Sequence, residues 1–165
     1  LAKQKDIKTN AMRILDKLKI DYTHQSYQCN EFVDGLQTAD LLDLPYEQVY
    51  KTLVTEGKSK RYFVFVIPID KELDMKKAAK AVGEKSVAMI HLKDLTAITG
   101  YVRGGCTAIG MKKQFKTVIN DTAKELDKIY ISGGKVGLQL KLSPSDFCRA
   151  AQAVYQNITM DNANH

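Results

Sequence analysis

The sequence predicts an α+β fold: one domain over residues 1–165, with about six strands and with helices mainly at the two ends and in the middle. Three observations predict it. Residues 61–69, Arg-Tyr-Phe-Val-Phe-Val-Ile-Pro-Ile, are β-branched and aromatic almost throughout, the pattern of a strand buried on both faces. Apolar residues recur at helical spacing near both ends and in the middle of the chain. Hairpin-like strand pairs mix with single helices, unlike a regular strand–helix–strand repeat.

Taken in order, residues 9–19 read as a helix, with Ala11, Ile14, Leu15 and Leu18 at helical spacing and Thr9 or Asn10 as cap. Residues 21–27 alternate weakly, as a strand does, and 38–44 form a short helix stopped near Pro45. Residues 49–55 are a strand, followed by a turn at Glu56-Gly57-Lys58-Ser59 and then the strand at 61–69. Residues 74–82 make a basic helix with Met75, Ala78, Ala79 and Val82 inward, and 87–92 make another strand. Residues 128–132 are a short strand ending in Ser132-Gly133-Gly134. Leu138, Leu140 and Leu142 share one face of the next strand while Gln139 and Lys141 point outward, the period of a half-buried strand. Ser143-Pro144-Ser145-Asp146 opens a helix with cap, first-turn proline and dipole-matched charge, and that helix carries Phe147, Ala150, Ala151 and Val154 inward.

Composition narrows the function classes. At 44% hydrophobic and 27% charged, the chain has enough apolar surface to offset chain entropy, which excludes a mainly disordered state. No apolar run approaches the roughly 18 residues of a membrane span, and the first residues lack a secretory h-region. The 25 Lys+Arg against 19 Asp+Glu leave a net charge of +6, which suits an anionic partner. Cys29, Cys106 and Cys148 are odd in number and widely spaced, neither a disulfide framework nor a zinc motif, so a reduced cytoplasmic setting is expected. With only His24, His91 and His165, a metal site or a Ser-His-Asp triad has little material.

Three stretches carry candidate chemistry. Residues 95–120 contain Arg103, Lys112, Lys113 and Lys116, no acid before Asp121, and four glycines, Gly100, Gly104, Gly105 and Gly110. Glycines let backbone N–H groups approach a ligand while lysines supply positive field, so the stretch reads either as an anion or oxyanion cradle or as a turn-rich solvated face. It closes no Walker or Rossmann motif. Lys51, before Leu53-Val54, is either a strand lysine whose head reaches water or one that awaits an anion. Ser132-Gly133-Gly134 is either a plain hairpin turn or a wall that leaves room for a ligand. Tyr22, Tyr27, Phe32, Tyr62 and Phe63 offer base-stacking surfaces, although strand aromatics are usually core. Cys106 has no histidine or other base beside it in sequence, and reads as a buried thiol rather than a nucleophile.

A wider pattern emerges when the motifs are taken in order: Tyr50-Lys51-Thr52-Leu53-Val54, Lys76-Lys77-Ala78-Ala79-Lys80, Thr99-Gly100-Tyr101-Val102-Arg103-Gly104-Gly105, Gly110-Met111-Lys112-Lys113, Lys116-Thr117-Val118-Ile119 and Ile131-Ser132-Gly133-Gly134-Lys135. Across residues 9–158 this order and spacing resembles the YbaK/EbsC family of aminoacyl-tRNA deacylases, which implies a single domain with a curved mixed β-sheet flanked by helices. The resemblance implies trans-editing, the hydrolysis of an amino acid wrongly esterified to tRNA, foremost Cys-tRNA(Pro) and also Cys-tRNA(Cys), without metal or bound cofactor. It implies Lys51, Gly104 and Gly105 as catalytic residues, with Lys51 on the 3′-terminal nucleotide or ester and the glycines beside the reacting carbonyl. It implies Tyr27, Thr52, Arg103, Ser132 and Gly133 as substrate-binding residues. The implied partners are the aminoacyl-tRNA acceptor end and prolyl-tRNA synthetase for delivery, with no DNA and no membrane. The implied mechanism is substrate-assisted: the cysteinyl thiol attacks its own ester carbonyl, tRNA leaves, and water opens the thiolactone. An alanyl-directed deacylase and a non-catalytic tRNA-binding adaptor stay open beside it. One departure stands out: many members read Gly-Gly-x-Ser-Pro-x-Gly, whereas Cys106 here is followed by Thr107-Ala108, without the proline's fixed φ.

Overall fold

The computed structural model describes residues 8–28 and 34–161; Cys29, Phe32 and His165 lie outside them. Helix α1 (Asn10–Lys17) starts where its cap dictates: the Thr9 hydroxyl accepts from the Met12 N–H, and Ala11, Met12 and Leu15 turn into the core. Strand β1 (Thr23–Ser26) follows. Helix α2 (Gly35–Leu42) begins earlier than the spacing predicts, because Asp34 and Gln37 form a reciprocal capping box. It ends at Asp43, whose φ of 56° is left-handed, before Pro45 is reached.

Strand β2 (Tyr50–Gly57) and β3 (Tyr62–Pro68) form an antiparallel hairpin. On β3, Phe63, Phe65 and Ile67 pack toward Ala78, Ala79 and Val82 of α3 (Met75–Val82), while Val64 and Val66 enter the main core with Leu140 and Phe147. Both faces are dry, as its sequence predicts. Burying each such side chain stabilises the fold by about 1.5–3 kcal/mol.

Strand β4 (Val87–Met89), helix α4 (Leu95–Thr99), β5 (Lys116–Asn120), β6 (Ile129–Ser132), β7 (Leu138–Leu142), helix α5 (Pro144–Ala151) and β8 (Ala153–Gln156) complete the elements. They make two sheets among the described residues. One is five-stranded, in the order β4-β2-β3-β5-β8, antiparallel through β4-β2-β3 and parallel through β3-β5-β8. The other is antiparallel, in the order β1-β7-β6. A parallel bridge from Val49 to Tyr130 joins them, and the main core lies between.

The α+β class stands, but the expected single sheet of about six strands becomes two sheets with eight strands. The added strands, β5 and β8, are short parallel segments whose pairing comes entirely from distant partners. Val154 belongs to β8 and not to the last helix: Gln152 turns left-handed at φ 56° and ends α5, leaving Val154 48% exposed on an edge strand rather than inward. Among the described residues, no helix is long and apolar enough to cross a membrane.

Candidate active site at the open edge of strand β2

Register creates the site. Val49 C=O accepts from Ile69 N–H at 2.9 Å and Gly57 N–H donates to Arg61 C=O at 2.8 Å, so the odd-numbered residues of β2 bond to β3. In an antiparallel ladder the alternate residues aim their backbone groups the other way. Strand β4 meets them only from Thr55 to Gly57. The chain after β4 diverges, with one more bond from Ile90 N–H to Val54 C=O. Thr52 is left with its backbone N–H and C=O directed to an edge that β4 does not cover.

A cavity of about 320 Å³ wraps this edge, and Lys51, Thr52, Tyr27, Arg103, Gly104 and Ser132 all line it. Six of the eight site residues expected from sequence thus converge from four separate segments. Gly105 and Gly133 stand behind the wall instead. A Cβ on Gly105 would lie 2.7 Å from the Lys135 Cα, and its N–H already donates to Val102 C=O at 2.9 Å, so it cannot also serve an oxyanion. Gly133 donates to Leu138 C=O at 2.8 Å and accepts from the Thr9 hydroxyl at 2.6 Å. Both are packing glycines that let the two turns sit against their neighbours. Gly104, with φ at +84°, is the member of its pair that reaches the cavity.

Lys51 is half-buried, and its Nζ donates to the Ile69 carbonyl at 3.4 Å. No described carboxylate lies within ion-pair distance of it. Burial lowers its pKa from 10.5, against the weaker opposing fields of Glu72, Asp34 and Asp70. A lysine held partly out of water without an anion is set to receive one.

Around it the chemistry is sparse. The described histidines, His24 and His91, do not line the cavity. Cys106 does, but burial pushes its thiol up to about 11, so it is protonated and unreactive at neutral pH. Ser132 Oγ accepts from Gly134 N–H at 3.3 Å and has no adjacent base. Asp34 lines the wall while its carboxylate caps α2. Among the described residues no group of His, Cys, Asp or Glu could hold a metal. The missing proline after Cys106 is replaced by other restraints: Thr107, Ala108 and Ile109 are buried, and Tyr101 OH donates to Ile109 C=O at 2.6 Å.

Sequence reasoning missed Gln139. Alternation predicts it on the solvent face of β7, yet it is 7% exposed and lines the cavity beside its cross-strand partner Ser132. Its Oε1 is buried with no hydrogen-bond partner among the described residues. An orphaned buried acceptor costs about 1–3 kcal/mol.

The described residues of this cavity join cationic side chains to backbone donors without a nucleophile–base pair, an arrangement chemically suited to holding and polarising an ester or phosphate-bearing group. Residues 33–150 match the family model of the aminoacyl-tRNA editing domain, and the chain belongs to that family. Over 153 residues it is 42% identical to an Enterococcus faecalis protein provisionally named EbsC, a Cys-tRNA(Pro)/Cys-tRNA(Cys) deacylase, covering 92% of this chain and 93% of that one. A proline–tRNA ligase of Fervidobacterium nodosum is 24% identical over 127 residues, which cover 70% of this chain and 22% of the ligase. A solved structure provisionally described as a trans-editing enzyme for prolyl-tRNA synthetase has the same fold, with a TM-score of 0.78 at 15% identity over 94% of this chain and 100% of the other.

Proposed function

We propose that this chain is a cytoplasmic trans-editing deacylase, acting as one domain, that hydrolyses misacylated tRNA, foremost Cys-tRNA(Pro). The observation that carries the reading is the meeting of Lys51, Thr52, Arg103, Gly104 and Ser132 around one cavity whose described lining has no nucleophile–base pair. The name of the E. faecalis relative supports the cysteinyl substrate, and the similarity to part of a proline–tRNA ligase supports a link to proline tRNA and to prolyl-tRNA synthetase.

In this reading Lys51 holds the terminal phosphate or ester oxygen. The Gly104 N–H and the Thr52 backbone N–H on the open edge meet the developing oxyanion. A preorganised donor of this kind is worth about 3 kcal/mol. With no activated nucleophile among the described residues of the cavity, the substrate thiol supplies one. Its sulfur bonds to the ester carbonyl carbon, the bond to the ribose oxygen breaks, and the thiol proton ends on that oxygen. Water then adds to the thiolactone and opens it to free cysteine. The cavity contributes proximity by holding the conformer in which thiol and carbonyl meet. Such chemistry separates Cys from Ser by reactivity, where a small pocket discriminates poorly by shape.

A deacylation assay with Cys-, Ser- and Ala-charged tRNA(Pro) and Cys-tRNA(Cys) tests this. The expected result is rapid release of cysteine and slow release of serine and alanine. Equal rates for Ser or Ala would remove the thiol-assisted route in favour of an alanyl-directed deacylase. Salt-sensitive tRNA binding without any release would make the chain an adaptor.

A further inference from the structure

We propose that Gln139 is a specificity residue whose Oε1 accepts a hydrogen bond from the α-ammonium group of the aminoacyl ester. This rests on the reading that the cavity receives an aminoacylated RNA end. Gln139 is 7% exposed, lines the cavity, and its Oε1 has no partner among the described residues. Its cross-strand neighbours on the same face are Gln25 of β1 and Ser132 of β6, neither of which donates to the Oε1; the Ser132 hydroxyl accepts from Gly134 N–H. A buried acceptor left empty by the protein is filled by a donor from outside.

The substrate's phosphates, ester and carbonyl are acceptors only; its donors are the free ribose hydroxyl, the adenine amino group, the thiol and the α-ammonium, of which the ammonium alone is charged and brings three N–H groups beside the ester. Charge decides where it sits. Lys51 belongs to β2 and pairs with no described carboxylate, so its side of the cavity favours anionic oxygens and repels an ammonium. Gln139 belongs to the small sheet, on the other wall, and presents a neutral acceptor there. An amine fixed on Gln139 and an ester oxygen on Lys51 would align the amino acid across the cavity and leave its side chain to one defined direction. A free amino acid lacks the RNA end and a peptidyl-tRNA lacks the ammonium, so this contact restricts turnover to aminoacyl esters.

The test uses the full chain and two non-hydrolysable probes, 3′-cysteinylamido-3′-deoxyadenosine and its N-acetyl derivative, titrated calorimetrically. Wild type is expected to favour the free amine by about tenfold or more, the scale of a hydrogen bond to a charged group. Gln139→Leu is expected to bind both probes equally, at the strength of the acetylated one. Gln139→Glu, which keeps only acceptors, is expected to restore the preference. The Tm of Gln139→Leu should be no lower than that of wild type, since an apolar replacement removes an orphan. Gln139→Ala serves in its place should the leucine variant not fold. A variant that weakens both probes alike, or one that keeps the preference for the free amine, overturns the inference while Cys-tRNA hydrolysis by wild type still upholds the deacylase reading. The amine preference, lost in Gln139→Leu, without any hydrolysis by wild type would uphold the inference as a binding contact and sink the catalytic reading. Failure of wild type to bind either probe overturns the inference, and absence of hydrolysis in the same preparation takes the deacylase reading with it.

Discussion

The two edges of strand β2 differ. Toward β3, every residue from Tyr50 to Glu56 has a registered partner, and the faces of β3 pack against α3 on one side and the main core on the other. Toward β4, the ladder ends at Thr55 with one further bond to Val54 C=O, and the open stretch borders a cavity lined by a lysine and a glutamine whose ammonium and amide oxygen find neither a carboxylate nor a donor among the described residues. The satisfied edge holds the fold together; the unsatisfied one gathers the groups whose partners must come from a ligand. Local rules broken together in one place mark a functional site more reliably than any one of the broken rules alone.

Substitutions on the open edge should therefore cost activity without costing stability. Lys51→Ala is expected to lower the deacylation rate by about 10²–10³-fold, the scale of losing one transition-state contact, while its Tm stays at or above the wild-type value. Unchanged turnover in single-turnover kinetics would take Lys51 out of the mechanism. Behind the wall the expectation reverses. Gly105→Ala drives a methyl against the Lys135 backbone at 2.7 Å and should cost about 1–3 kcal/mol in denaturant titration, with activity falling only as far as the two turns separate. A stable Gly105→Ala protein with no activity would put Gly105 back on the cavity surface.

This contrast was only partly legible in the sequence. Strand β3 and helices α1 and α5 could be read because local periodicity and caps agree with tertiary burial. Strands β5 and β8 could not, since five and four residues paired in parallel to remote partners leave no local signature, and Val154 continues the apolar spacing of α5 past the point where Gln152 ends it. The motif letters located the glycine pairs but not which residues of each turn reach the cavity; that depends on Lys135 and Thr9 arriving from elsewhere. Gln139 obeys strand alternation, but the face that alternation assigns to solvent is covered here by the cavity rim.

Two smaller effects sharpen the comparison. Burial pushes the Tyr101 hydroxyl from 10.0 up to about 12. A raised folded pKa means that its contribution is complete below pH 10 and is lost as pH climbs through about 12. At neutral pH Tyr101→Phe should be about 1 kcal/mol less stable, having lost the bond to Ile109. The gap between wild type and variant should narrow from pH 10 toward 12 in thermal melts, and a constant gap would mean that Tyr101 does not titrate with unfolding. The smallest effect is expected at Cys106. With its thiol near 11, Cys106→Ala should keep deacylation within about threefold of wild type, and iodoacetamide should label the native protein slowly at pH 7. Rapid labelling with loss of activity would instead make it a nucleophile.

The most direct measurement is a ¹⁵N chemical-shift titration of the full chain with 3′-cysteinylamido-3′-deoxyadenosine. Large shifts at the amides of Thr52 and Gly104, with Ala78 and Ala79 on the α3 face unmoved, would place the acceptor end at the open edge of β2. Shifts on the α3 face, with Thr52 and Gly104 silent, would contradict it.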